Sequence, residues 1–443
     1  MLALRNPGDL GGSSSTYAPM DCKLFWIASI RRRRVAVSQF DNLRRLRVSF
    51  VSRARVYLDH NATTPLHPAA REAMCAAFDL CGNASSVHAE GRTARALIEA
   101  ARAEVAAIAG VAPKNIIFTS GGTEALNLAL TPSLETPNEK KPFDLLVASA
   151  GEHPAVLTGH RFAAAQLELA GLTPQGVLDI EALGATLARA SAAGHRTMLA
   201  LQAANNETGV MQPVAAAAEM IHAAGGFLVC DAVQAAGRID CDIGSLGADA
   251  IVFSAHKFGG PKGAGALCFR TDSYHIREAL LRGGGQERGL RAGTENVAAI
   301  AGMAAALCAA NVRRQGEVAA LSVWRDELEA DISRVAPDAV FFGAGAERLP
   351  NTSCFALPRI EAHVLLIALD MEGIAVSSGS ACSSGKVKRS HVLSAMGVEP
   401  DVAGGAIRVS LGWNSRREDC ILFVRALERT VSTIKARRDK SAA

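Results

Sequence analysis

Phe227-Leu228-Val229-Cys230-Asp231-Ala232-Val233-Gln234 and, further on, Ile251-Val252-Phe253-Ser254-Ala255-His256-Lys257-Phe258-Gly259-Gly260 decide how this chain is read. Each is a short apolar run that stops at a polar residue, and Ala-rich helical stretches separate such runs along the chain. That alternation predicts βαβ units around a mostly parallel sheet. Strands are expected at Ile116–Thr119, Leu145–Ser149, Met198–Gln202, Phe227–Cys230, Ile251–Ser254 and Ala266–Phe269. A helix is expected over Thr93–Ala109, where Ala94, Leu97, Ile98, Ala101, Val105 and Ile108 recur at helical spacing. Thr131 to Pro142 reads as a surface loop. In open α/β sheets the loops after the carboxyl ends of the strands build the site. Here one strand end presents the carboxylate of Asp231 and another the amine of Lys257.

Beyond about residue 314 the texture changes to a charged helix (Arg325 to Ala336), short strands near Phe341 and Ser353, a Gly/Ser-rich loop from Ser377 to Gly385, and a final strand and helix. The expected organisation is a large α/β domain over residues 67–313 and a smaller α+β domain from 56–66 and 314–443. Residues 1–55 are a basic extension with eleven Arg or Lys against three Asp, so the rest of the chain holds 36 basic against 40 acidic residues. An acidic body argues against a nucleic-acid groove. The longest uncharged apolar-leaning run, Val297 to Ala310, is short for a membrane span. Ten cysteines without a C-x-x-C pair suit a reducing compartment, and a bacterial-type cytoplasmic enzyme is expected. The extension shares the composition of a transit peptide, which would make the enzyme mitochondrial. A disordered basic tail, or sequence upstream of a later start at Met20, is favoured over it.

Chemistry enters through a combination. Lys257 alone would pass for a surface lysine. A pyridoxal phosphate enzyme, however, needs a Schiff-base lysine, an acid for the ring nitrogen and a cup for the phosphate. Asp231 supplies the acid, since a carboxylate favours the protonated ring nitrogen. Ser120-Gly121-Gly122-Thr123-Glu124 opens a helix whose free N–H groups suit a phosphate, although in isolation a plain N-cap with Thr123 is the favoured reading. His153, after another strand, could stack on the ring and move protons. The loop Ser377-Ser378-Gly379-Ser380-Ala381-Cys382-Ser383-Ser384-Gly385 sets one thiol among small residues, the setting of an accessible nucleophile. Cys75, Cys81, Cys230, Cys241, Cys268, Cys308, Cys354 and Cys420 are read as small buried hydrophobes. Arg408 in Ile407-Arg408-Val409-Ser410 is either a carboxylate clamp or a member of a surface pair, and both stay open.

With these stretches in view, the chain resembles the cysteine desulfurases, pyridoxal 5'-phosphate enzymes of the class V aminotransferase family and fold type I. The likeness runs over nearly all of residues 56–430. It is carried by Tyr57-Leu58-Asp59-His60-Asn61-Ala62-Thr63-Thr64-Pro65, Phe118 to Glu124, Glu152-His153, Asn205-Asn206-Glu207-Thr208-Gly209-Val210, Asp231 with Gln234, Ser254 to Lys257, Gly283 to Thr294 and the Cys382 loop. The loop wording is similar to the first of the two family groups, the NifS/IscS-like one. The resemblance implies that Lys257 holds the cofactor covalently, Asp231 pairs its ring nitrogen, Gln234 bonds its phenolic oxygen and His153 stacks on it. Gly122, Thr123, Ser254 and His256 would hold the phosphate, with Thr294 reaching across from the second subunit of a homodimer. Asn206 and Arg408 would bind the substrate carboxylate or the nearby ring oxygen. L-cysteine would give L-alanine and a persulfide on Cys382, handed to an iron–sulfur scaffold protein, with a transient contact between Cys382 and a nascent cluster. His60 stands where Asn is common, and Lys386-Val387-Lys388-Arg389 replaces an acidic residue and a proline before Ser390.

Other readings are weighed on single features. An aminotransferase has no use for a thiol on a loop, whereas selenocysteine lyase shares both the cofactor site and the cysteine. A sulfur carrier or scaffold-binding protein without catalysis would not need Lys257, Asp231 and His153 together. No G-x-G-x-x-G follows the first strands, which counts against a dinucleotide enzyme.

Overall fold

The apolar runs become strands because both of their faces are covered. In the computed structural model, which describes residues 55–137, 139–378 and 389–442, β1 (Ile116–Thr119), β2 (Leu145–Ser149), β3 (Leu167–Ala170), β4 (Thr197–Gln202), β5 (Phe227–Asp231), β6 (Ala250–Ser254) and β7 (Gly265–Phe269) form one sheet. Their order is β1-β7-β6-β5-β4-β2-β3. Strands β6, β5, β4, β2 and β3 pair in parallel, and β7 is antiparallel to both of its neighbours. Leu199, Leu201, Leu228, Cys230, Ile251 and Phe253 enter one apolar cluster. Met198, Ala200, Phe227, Val229, Ala250 and Val252 enter the other. Strands buried on both faces show no polar alternation, which is why they read as continuous apolar runs.

The expected strands form with end shifts of one residue at most. β3 was not expected; it is an edge strand in which Leu167 and Glu168 are half-buried and Leu169 is exposed, so it lacks the apolar signature. The expected loop after Thr131 contains a short strand, Leu134–Glu135, paired with His275–Ile276. Helix α1 covers Pro68–Phe78, and α2 covers Ala89–Ala109. α2 begins earlier than its periodicity suggested because the His88 side chain caps it by accepting the Gly91 N–H. Helix α3 (Gly122–Ala129) has Gly121 as its N-cap, so Thr123 does not cap it.

Helix α4, Val297–Val335, is one 39-residue element. It absorbs both the apolar run that ended at Ala310 and the charged helix expected at Arg325 to Ala336, and it passes through residue 313, the expected domain boundary. By length and composition α4 could cross a membrane. Its apolar half is instead buried in the protein core, with Ala299, Ile300, Met303, Ala304, Ala306, Leu307 and Ala310 inside the cluster that covers one sheet face. A second, antiparallel sheet of β8 (Val340–Phe341), β9 (Thr352–Ala356) and β10 (Ala406–Ser410) packs with α5 (Arg417–Ala442) through Phe355, Ile407, Val409, Phe423 and Leu427. Val56–Tyr57 pairs in parallel with Ile374–Ala375.

Glu287, in the Gly283 to Thr294 stretch, is a bolt for this framework. Arg102 on α2 donates to its two oxygens at 2.9 and 2.7 Å, and the Phe118 N–H of β1 donates at 2.8 Å. Both side chains are buried, at 10% and 2% exposure. Glu287→Ala would leave the buried guanidinium only the longer, half-exposed contact of its Nε with Glu99 at 3.3 Å, and a loss of about 3–5 kcal/mol is expected in urea unfolding. A loss below about 1 kcal/mol would place the pair with exposed ones instead.

Two of the cysteines read as buried are exposed, Cys75 and Cys81. Cys75 lies off the Ala70 and Ala77 stripe that α1 turns inward, and Cys81 falls in the polar connection after that helix. Cys308 is half-buried, while Cys230, Cys241, Cys268, Cys354 and Cys420 are buried as expected.

Candidate active site

Strands β1, β2, β4, β5 and β6 bring their carboxyl ends to one edge of the sheet, and the residues that follow them line a single cleft of about 640 Å³. Gly122, Thr123, His153, Asn206, Asp231, Gln234, Ser254, His256, Lys257 and Arg408 all face it. Thr294 does not: it is exposed and outside the cleft of its own chain. Cys382 lies outside the described residues.

Lys257 ends a short turn after β6, Ala255–Lys257. Its Nζ donates to the Asn61 and Ala62 carbonyls at 2.6 and 3.0 Å. Burial, reinforced by the cations Arg408 and Arg238, lowers its pKa to about 8 against the opposing pull of Asp231 and Asp59. An amine poised there has a usable neutral fraction near pH 7. Asp231, the last residue of β5, is raised to about 6 by burial, opposed by the Val233 N–H that it accepts at 2.9 Å and by Lys257. A cationic partner would restore its ionised form.

His153 caps the helix that follows β2, its Nδ1 accepting the Ala155 N–H at 3.0 Å. Burial, then Lys257 and His391, lower its pKa to about 4. The ring is therefore neutral near pH 7, with Nδ1 occupied as an acceptor and its proton on Nε2. Burial, then Lys257 and Lys262, hold His256 at about 4, and its Nδ1 lies 3.2 Å from the Thr63 hydroxyl.

The end of the cleft beside the start of α3 is a cradle. A Cβ at Gly122 would come within 2.7 Å of Val233 Cγ2 and 3.3 Å of Ser254 Cβ, so only glycine lets the start of α3 approach Ser254 this closely. Free N–H groups at that helix start suit an anion. On the opposite wall Arg408 donates from Nη1 to the Asn206 carbonyl at 2.9 Å and from Nη2 to Asp59 Oδ1 at 2.8 Å. Its Nε is buried and lacks a partner among the described residues. An orphan donor on a cleft-lining arginine is a cost that a bound carboxylate would remove. Of the two open readings of Arg408, the surface pair is excluded by its burial, 4% exposed. Lysine, acid, phosphate cradle and carboxylate clamp together fit pyridoxal phosphate and an amino acid.

Several participants lay in the quoted stretches without a role of their own. Asn61 and Ala62 act through backbone carbonyls. Glu152 is fully buried, accepting the Gln202 N–H at 2.7 Å, and burial, then Asp231, raise its pKa well above normal. Glu207 accepts the Ser390 hydroxyl at 2.6 Å, and His391 Nε2 donates to the Glu152 carbonyl at 2.8 Å.

Comparison with known proteins agrees with this geometry. The family described as aminotransferase class-V matches residues 56–423. A cysteine desulfurase of Cereibacter sphaeroides is 42% identical over 371 residues, covering 82% of this chain and 92% of the relative. An IscS-like cysteine desulfurase of Mycobacterium tuberculosis is 38% identical over 391 residues, covering 87% and 98%. The solved structure of a NifS-like protein from Rickettsia africae superposes with a TM-score of 0.76 at 32% identity, covering 85% of this chain and 99% of that one.

Proposed function

The chain belongs to the aminotransferase class-V family and is a cysteine desulfurase working with pyridoxal phosphate, and we propose how its residues divide that chemistry. The observation that carries the assignment is the convergence of Lys257, Asp231 and His153 from neighbouring strand ends onto one cleft that also holds Arg408. When bound, pyridoxal phosphate draws electrons from the substrate α-carbon and makes the α-proton and the carbon–sulfur bond labile.

The residues do the rest. Lys257 would hold the cofactor through its amine and would take the substrate α-proton, a role that suits an amine of pKa about 8. His153 stacks on the ring and donates from Nε2, because its Nδ1 is committed to the backbone. Asp231 pairs the ring nitrogen. Gln234 donates to the phenolic oxygen. Gly122, Thr123, Ser254 and His256 hold the phosphate. Arg408, steered by Asp59, takes the substrate carboxylate beside Asn206. The Cys382 thiolate attacks the substrate sulfur, so L-alanine leaves and the sulfur stays as a persulfide.

Exposure of Thr294 supports its service to the phosphate of a second copy in a homodimer. The sulfur acceptor we assign is an iron–sulfur scaffold protein, with Cys382 meeting a nascent cluster in passing. The small sheet, with the strand at Val56–Tyr57, forms the smaller domain in this reading, and the bacterial relatives favour the cytoplasm.

The full chain loaded with pyridoxal phosphate is expected to release alanine and sulfide in equal amounts from L-cysteine plus a reducing thiol. A bound cofactor with neither product would reject the assignment, and a rate far higher with selenocysteine would move it to the lyase reading.

A further inference from the structure

Arg238, in the turn after β5, is buried at 9% exposure and has no carboxylate partner among the described residues. The other buried arginines do: Arg102 pairs with Glu287 and Arg408 with Asp59. Arg238 is placed by Gly237, whose φ is 74° and whose Cβ, if present, would lie 2.6 Å from Ala310 Cβ on α4.

Its guanidinium is spread over four oxygens. Nη1 donates to the Gln234 backbone carbonyl at 2.8 Å and to the Gln234 side-chain Oε1 at 2.5 Å. Nη2 donates to the carbonyls of His60 and Lys257 at 3.4 and 3.3 Å. A guanidinium has donors only, so it decides which end of an amide it meets. The oxygen of Gln234 is taken. Its nitrogen remains, donating to the Asn61 carbonyl at 3.0 Å, and Gln234 lines the cleft.

We propose that Arg238 is a positioning residue that locks the Gln234 amide with its nitrogen toward the cleft, so that Gln234 can only donate there, to an anionic ring oxygen of the cofactor. This rests on the reading that Gln234 meets that oxygen. It also accounts for a buried cation without a carboxylate, since the ring oxygen supplies the missing negative charge one hydrogen bond away. His60 beside it adds no second charge, because burial and then Arg238 hold its pKa at about 3.

The test uses the full chain, with two readouts: the pH midpoint of the bound cofactor's visible absorbance, and the affinity of the apoprotein for pyridoxal phosphate by fluorescence. Losing the donor leaves the ring oxygen more basic, so the chromophore keeps its proton to higher pH. R238M and Q234L should each raise the midpoint by about one pH unit and weaken binding about tenfold. The double variant should bind pyridoxal phosphate as Q234L does, because Arg238 reaches the ring oxygen through Gln234; its midpoint should differ from that of Q234L only by the direct effect of the lost Arg238 charge on Lys257. R238K should stay close to the parent, since an ammonium is also donor-only. Should R238M fail to fold, R238Q replaces it, as an amide that can accept frees Gln234 to turn over. Single-variant affinity losses that add in the double variant, or a parent-like midpoint in R238M, would overturn the proposal. A parent-like Q234L would overturn the contact between Gln234 and the cofactor as well, and so separates the two failures.

Discussion

Lys257→Ala is expected to lose alanine formation from L-cysteine by about 10²–10⁴-fold and to lose the covalent link to the cofactor altogether. Among the described residues two lysines line the cleft, Lys257 and Lys262, and the structure chooses between them. Lys262 is exposed, whereas Lys257 is partly buried. Its amine sits on two backbone carbonyls, with Asp231 ahead of it and two arginines near enough to disfavour its charge. Desolvation is the largest cause of its low pKa, so the neutral amine needed to attack the cofactor aldehyde exists without a dedicated base. The sign follows directly: capture of pyridoxal phosphate by the apoprotein should speed up as pH rises through about 8 and level off above it. Borohydride reduction and peptide mass mapping check the assignment, with the label expected on Lys257 in the parent and absent in the variant. A label on Lys262, or an unchanged label in the variant, would mean that the wrong amine was chosen.

Much of this was legible because the fold uses strong local signals. β5 and β6 are apolar on both faces, and their first polar residues, Asp231 and Ser254, mark where the sheet ends and the site begins. Once those ends are placed, parallel pairing puts Asp231, His153 and Lys257 on one edge with no knowledge of distant contacts. What stayed hidden depends on such contacts. Asp59 steers Arg408 from 349 positions away, and Ser390 meets Glu207 from 183 away. Neither pair leaves a periodicity or a spacing to read. The carbonyls of Asn61 and Ala62 are invisible for another reason, since every residue has one. Glu287 is hidden for the same reason as those pairs: its oxygens accept from Arg102 and Phe118, 185 and 169 positions away. Arg238 was invisible because its partner is an amide and three backbone oxygens, not a carboxylate.

Cys382→Ala should keep the cofactor and its yellow colour while alanine release falls by about 10²-fold or more. Among the described residues no cysteine lines the cleft, and the buried ones are poor nucleophiles because burial suppresses the thiolate. Burial pushes Cys241, Cys308 and Cys420 up to about 12, and raises Cys230, Cys268 and Cys354 as well. The exposed Cys75 and Cys81 sit on or after α1, away from the cleft. The segment that carries Cys382 leaves from the cleft itself. Ser377 is bonded to the Arg408 backbone in both directions, Ser378 lines the cleft wall, and on the far side Ser390 and His391 are held by Glu207 and Glu152. Arg408 and the start of the segment that leads to Cys382 are thus paired backbone to backbone. Alanine, sulfide and protein-bound persulfide measured together decide the matter. Loss of persulfide and alanine together assigns the sulfur to Cys382, whereas full alanine release without it would remove Cys382 as the acceptor and leave the added reducing thiol to take the sulfur from the substrate as its own persulfide.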